Sequence, residues 1–85
     1  MQVLIPSALR SYTGASRVQA SGATLGEVLA DLDCQFPGLR FRMVDEQDRI
    51  RPHMRVFVDG RAVHELAQPL RPGVDVNIVQ ALSGG

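Results

Sequence analysis

The chain has no lysine and no tryptophan, and only one tyrosine, three phenylalanines and one cysteine among 85 residues. Each shortage excludes something. The lone Cys34 cannot close an internal disulfide or build a multi-cysteine zinc or iron–sulfur site, which fits a reducing compartment and sets the expectation of a cytoplasmic protein. Few aromatics leave Val, Leu and Ile to fill the core and remove the platforms on which single-stranded RNA stacks its bases. Nine arginines balance nine acidic residues, so no overall charge draws the chain to nucleic acid or to an anionic membrane. No apolar run approaches the roughly 18 residues of a membrane span, and no basic segment leads into an apolar one at the start. Neither a GxGxxG nor a Walker pattern occurs, so no nucleotide-binding loop is expected. His53 and His64 lack a second ligand at helical spacing, and nothing orients Cys34 toward a histidine. No metal and no catalytic centre is expected.

What is present reads as one small module, since a chain this short cannot divide its core in two. Val3-Leu4-Ile5 closes at Pro6 as a first strand, with Ser7 to Ser11 mixed and a turn at Tyr12-Thr13-Gly14-Ala15. Ser16 to Ala20 alternates polar and apolar as an antiparallel partner. Thr24-Leu25-Gly26-Glu27 forms a capping box, with the Thr24 hydroxyl on the Glu27 amide and the Glu27 carboxylate on the Thr24 amide. The helix it opens carries Leu25, Val28, Leu29, Leu32 and Phe36 on one stripe and stops at Pro37-Gly38, with Cys34 on the solvent side. Gly38 to Met43 and the charged turn Asp45 to Asp48 read as a connector. Met54 to Val58, a turn at Asp59-Gly60, and Arg61 to Val63 make a second hairpin. Leu66 and Leu70 plug a loop, Pro72-Gly73 fits a type II turn, and Val74 to Val79 is the last strand.

Hairpin, helix, hairpin and final strand predict an α+β fold: a mixed sheet of about five strands with one main helix on one face, the β-grasp or ubiquitin-like arrangement. Residues 1–80 are expected to form that domain and 81–85 a flexible tail. If Met54, Val56, Val58, Val74, Val76 and Ile78 face the helix, Phe57 and Val79 fall on the other face as an exposed apolar pair beside the tail, a candidate partner site. Arg40, Arg42, Arg49, Arg51 and Arg55 crowd one third of the chain. They read as a solvated face, with an acidic partner as the alternative.

The tail itself, Ala81-Leu82-Ser83-Gly84-Gly85, is uncharged and shrinks to side chains of almost no bulk. Frayed ends are common. Yet two glycines make the terminal carboxylate the least hindered a protein can present, on a backbone open to dihedrals closed to other residues. Such a tail can thread a narrow slot toward an enzyme that activates it. Having arginine and no lysine reads first as a compositional bias; the alternative is that it suits a protein with an activated carboxyl end, because no lysine amine is there to capture it.

Over its full length the chain resembles the bacterial ubiquitin-like sulfur-carrier family, the MoaD/ThiS group. The resemblance rests on Ile5-Pro6 with Leu9-Arg10, Tyr12-Thr13-Gly14, Thr24 to Leu29, Phe57-Val58-Asp59-Gly60 and Ala81 to Gly85. Ile5-Pro6, Tyr12-Thr13-Gly14 and Arg51-Pro52-His53 resemble the cysteine-synthesis carrier most. This likeness implies that an E1-like adenylating enzyme uses ATP to activate the Gly85 carboxylate. A sulfur donor enzyme or sulfide source then makes it a thiocarboxylate. A sulfur-acceptor enzyme, cysteine synthase-like or the large subunit of molybdopterin synthase, takes the sulfide for cysteine, molybdenum cofactor or related biosynthesis. It implies a carrier and not an enzyme, with no cofactor bound. Gly84, Ser83, Leu82 and Ala81 would lead Gly85 into the partners' active sites, with Phe57, Val79 and Arg55 as the contact surface. Gln80 and Ser83 stand where many relatives have proline and alanine, which bears on which activating enzyme accepts the tail. Two other functions fit the same residues: a ubiquitin-like modifier joined through Gly85 to lysines of other proteins, and a plain binding module.

Overall fold

The computed structural model describes residues 1–81. Its strands are β1 (Gln2–Leu4), β2 (Arg17–Gln19), β3 (Met54–Val58), β4 (Arg61–Val63) and β5 (Val76–Gln80), and its α-helices are α1 (Arg10–Thr13), α2 (Leu25–Gln35) and α3 (Leu39–Met43). The strands form one sheet in the order β2-β1-β5-β3-β4. β5 runs parallel to β1, and the other neighbours are antiparallel. This is the mixed five-stranded sheet expected, with the apolar strands β1, β5 and β3 inside it. Strand propensity explains the placement: Val and Ile on a pleated surface gain most where both neighbours are present.

Two turns fix the register of the second half. Asp59 (φ 53°) and Gly60 (φ 80°) make a two-residue connection with both φ positive, the geometry whose twist matches the strands it joins. Pro72 and Gly73 (φ 81°) complete a turn in which the Val74 amide donates to the Arg71 carbonyl at 3.3 Å, as a type II turn requires.

α2 lays Leu25, Val28, Leu29 and Leu32 on the sheet, all fully buried, with Phe36 half-buried at its end. At its start the Thr24 hydroxyl accepts the Glu27 amide at 3.2 Å. The Glu27 carboxylate, however, accepts the Ala23 amide at 3.1 Å and not that of Thr24. Thr24 is bridged to Pro69, and the Leu25 and Gly26 amides donate to the carbonyls of Gln68 and Leu66 at 3.0 and 2.8 Å. With the segment held that way, the Ala23 amide is the one that meets Glu27. Leu70 is buried and Leu66 packs against the core, so both plug the loop as expected.

Three stretches differ from the sequence reading. Ser7–Leu9 is a 3-10 helix running into α1, which ends at Gly14 in the left-handed region (φ 69°). Leu39–Met43 is helical and not a connector: Leu39 and Met43, four apart, are both buried, and the Asp33 carboxylate accepts the Gly38 and Arg40 amides at 3.1 and 3.2 Å. These runs are three to five residues long, too short for an apolar period to show, and tertiary burial decides them. The last strand starts at Val76, because Val74 still belongs to the preceding turn.

Candidate partner-binding face and tail root

Strand alternation divides the sheet. On β3 and β5, Met54, Val56, Val76 and Ile78 are buried toward α2, while Arg55, Phe57, Asn77 and Val79 point the other way. Register joins the outward set: Arg55 sits opposite Val79, and Phe57 opposite Asn77. Phe57 and Val79 are therefore diagonal neighbours on the outer face, as the sequence leads one to expect. Val79 is 37% exposed, whereas Phe57 is only half-buried. Parallel pairing adds a residue that sequence reasoning missed: Leu4 of β1 lies opposite Asn77 and shares this face, half-buried. Its signal was present in the fold assignment, since any strand flanking β5 must alternate in step with it.

The tail leaves from this face's edge. β5 ends at Gln80, opposite Met54, and the Ala81 amide still donates to the His53 carbonyl at 2.7 Å. The chain is thus held to its last described residue. Leu82, Ser83, Gly84 and Gly85, the other tail positions singled out by sequence, lie outside the described residues.

Four of the five arginines, Arg40, Arg49, Arg51 and Arg55, line one groove, and Arg42 is not among its lining. Arg40 pairs with Asp48 at 3.0 Å and Arg49 with Asp45 at 3.7 Å. Arg55 folds back along its own strand, donating to the carbonyls of Pro52 and Met54. Arg51 stacks on the Phe41 ring at 4.7 Å and donates through Nε to the Phe41 carbonyl at 2.8 Å, and Arg42 lies 5.8 Å from the centre of the Tyr12 ring. The Arg49 amide holds the Asp45 carboxyl below the usual carboxylate range; desolvation, the next largest effect, opposes it, and the Gln47 amide and the charges of Arg49 and Arg51 add smaller downward contributions.

Cys34, His53 and His64 are exposed, and among the described residues no three His, Cys, Asp or Glu side chains come together as metal ligands. A groove of about 920 Å³ between α2 and the β3–β4 hairpin contains Glu27, Arg40, His64 and Glu65, with Arg40 committed to Asp48. Among the described residues no helix is long and apolar enough to cross a membrane.

The profile of the ThiS family matches residues 3–85. The chain belongs to the ThiS family. It is 35% identical over 89 residues to the sulfur carrier protein CysO of Mycobacterium tuberculosis, an alignment covering 98% of this chain and 96% of that one. It is also 33% identical over 66 residues to small archaeal modifier protein 3 of Haloferax volcanii, covering 74% and 71%. Among solved structures it superposes on the Amycolatopsis orientalis BexX/CysO complex with a TM-score of 0.91 at 31% identity, covering 99% of this chain and 98% of the other. Mycobacterium tuberculosis CysO gives 0.90 at 32% identity, covering 95% and 98%. The five-stranded sheet is accordingly the β-grasp. This ThiS-family chain is a sulfur carrier, a co-substrate and not a catalyst, and carriers of this kind work by binding partner proteins.

Proposed function

We propose that the chain carries sulfide as a thiocarboxylate on Gly85 and delivers it for cysteine synthesis. A separate ATP-dependent enzyme joins the Gly85 carboxylate to AMP with loss of pyrophosphate. Sulfide from a donor then displaces AMP, leaving the thiocarboxylate; at the acceptor enzyme the sulfur passes to the acceptor, and water supplies the oxygen that restores the Gly85 carboxylate. ATP is used by the activating partner and not held by the carrier. Gly84 has no Cβ to crowd the reacting carbon, and Ala81, Leu82 and Ser83 bring no charge that a partner's slot would have to desolvate. Arg55, Phe57 and Val79 meet the partner at the tail's root.

One observation carries this reading: the central strand β5 leads to Ala81 beside an outer face bearing Phe57 and Val79, and the family match continues through Gly84-Gly85. The handle supplies recognition, and the chemistry resides in the partners.

The test is a mass spectrum of the intact protein and of its C-terminal peptide, after incubation with ATP, a sulfide source and the activating enzyme from the same cell. Exchange of oxygen for sulfur adds almost the mass gained by oxidising Met1, Met43 or Met54, so fragmentation must assign the increment. Sulfur on Gly85 that vanishes when a cysteine-forming acceptor is added supports the proposal. A Gly85 carboxylate left unchanged overturns it.

The likeness to a small archaeal modifier protein favours a second reading, in which activated Gly85 forms an isopeptide bond with lysines of other proteins. Under that reading, the same incubation with cell extract yields larger species whose branched peptides end in Gly84-Gly85.

A further inference from the structure

Beside the tail root lies a cavity of about 400 Å³ lined by Leu9, Phe41, Arg42, Arg51, His53 and Gln80. Phe41 is 54% exposed, more than any other large apolar side chain among the described residues. Neither Arg42 nor Arg51 belongs to an ion pair among the described residues, and no carboxylate lines the cavity there. Arg51 influences Asp45 only as the smallest of five effects on that carboxyl. What holds these guanidinium groups is aromatic: Arg51 on Phe41, Arg42 on Tyr12. A ring face orients an arginine without neutralising it. The Arg51 Nε bond to the Phe41 carbonyl uses one N–H and leaves both terminal nitrogens for an incoming acid, in the fork geometry a carboxylate accepts.

We propose that this patch docks an acidic segment of the protein that takes the tail: an Asp or Glu on Arg42 and Arg51, with a neighbouring apolar side chain covering Phe41. The position favours a protein partner over nucleic acid. The His53 carbonyl holds Ala81, and His53 and Gln80 line the cavity, so the patch adjoins the last described residue before the tail. Two arginines on a chain of zero net charge also fall far short of the track of cations that binds a phosphate backbone. The proposal rests on the sulfur-carrier reading for the identity of the partner, but not for the existence of the patch.

Two measurements test it. The first is the Michaelis constant for the carrier in adenylation by the activating enzyme, for wild type, Arg42→Gln, Arg51→Gln and Arg51→Lys. Each glutamine variant is expected to raise KM about tenfold, the scale of one charge-assisted hydrogen bond. The rise should be smaller at high salt, and lysine should restore only part of it. The second is an isotope-edited titration of the chain with a hexaglutamate peptide carrying one leucine, and separately with an RNA hexamer. Peptide shifts centred on the Arg42 and Arg51 side chains and on residues 41–42 and 51–53, lost in the double glutamine variant, support the proposal. Unchanged KM in the glutamine variants overturns it, as does tighter binding of the RNA at these residues. If the wild-type chain is not adenylated at all, the sulfur-carrier reading fails, and the titration alone decides the patch. Thermal melting confirms that each variant is folded.

Discussion

Gly22 is the residue whose role the sequence hides. Read along the chain it is a break between β2 and α2, one small residue in Ser21-Gly22-Ala23. In space, a Cβ built there would sit 2.6 Å from the Val28 nitrogen and 2.8 Å from two Glu27 atoms, two of the three contacts being backbone. No rotamer change relieves a clash with the first turn of a helix. That turn is itself fixed, since Glu27 is bonded to Thr24 and Ala23, and Val28 is buried. Gly22→Ala should therefore cost about 1–3 kcal/mol, the usual range for overpacking. Urea unfolding followed by circular dichroism measures it, and an unshifted midpoint would show that the loop moves aside without penalty. Gly60 and Gly73 are the opposite case. Their positive φ was legible from Asp59-Gly60 and Pro72-Gly73, because turn chemistry is local, whereas close approach to another segment is not.

At the scale of elements, the stretch from α3 to β3 turns on Asp45. Its carboxylate accepts the amides of Gln47 and Arg49 at 2.9 and 3.0 Å, and Val44 and Ile50 bridge across the turn, which holds Asp48 at φ 59°. These bonds hold the folded Asp45 pKa below that of the unfolded chain. A group with a depressed folded pKa stabilises the fold above its unfolded pKa and loses that contribution as pH falls through the folded value. Asp45→Asn should thus be less stable than wild type by a constant margin above about pH 5, and the margin should shrink below about pH 4. Chemical denaturation of both proteins across that range checks it; a gap that widens on acidification would contradict the assignment. Sequence reasoning marked this segment as a charged turn after a connector and missed α3. Arg40, Phe41 and Arg42 between Leu39 and Met43 give no stripe that five residues could display. The long helix α2 was readable because four turn-spaced leucines and valines and a threonine cap agree. Even there the Glu27 partner was displaced by one residue, through a bridge to Pro69 that only the folded chain brings near.

For the whole molecule, the proposed function assigns stability to one face of the sheet and recognition to the other, and adjacent residues of β5 separate them. Strand count, the helix on one face and the outward placement of Phe57 and Val79 were all legible, since period-two alternation assigns faces once neighbours are known. The cavity beside Phe41 was not, because it joins α3, the segment before β3 and the end of β5, which are distant in sequence. Ile78 is 2% exposed against α2, and Val79, one peptide further, is 37% exposed on the outer face. Truncating Ile78 to alanine should cost about 2–5 kcal/mol, because a buried branched side chain leaves a cavity that a close-packed core fills poorly. Truncating Val79 should change stability by less than about 1 kcal/mol, the span of strand propensity, yet raise the Michaelis constant for adenylation, since the partner loses an apolar contact next to the tail. Urea midpoints and adenylation kinetics on the two variants give four numbers. The division of faces requires Ile78→Ala to move chiefly the unfolding midpoint and Val79→Ala chiefly the Michaelis constant. If Val79→Ala leaves recognition unchanged while removal of Gly84 and Gly85 abolishes it, the partner reads the tail alone, and the outer face is surface that the sheet exposes without using it.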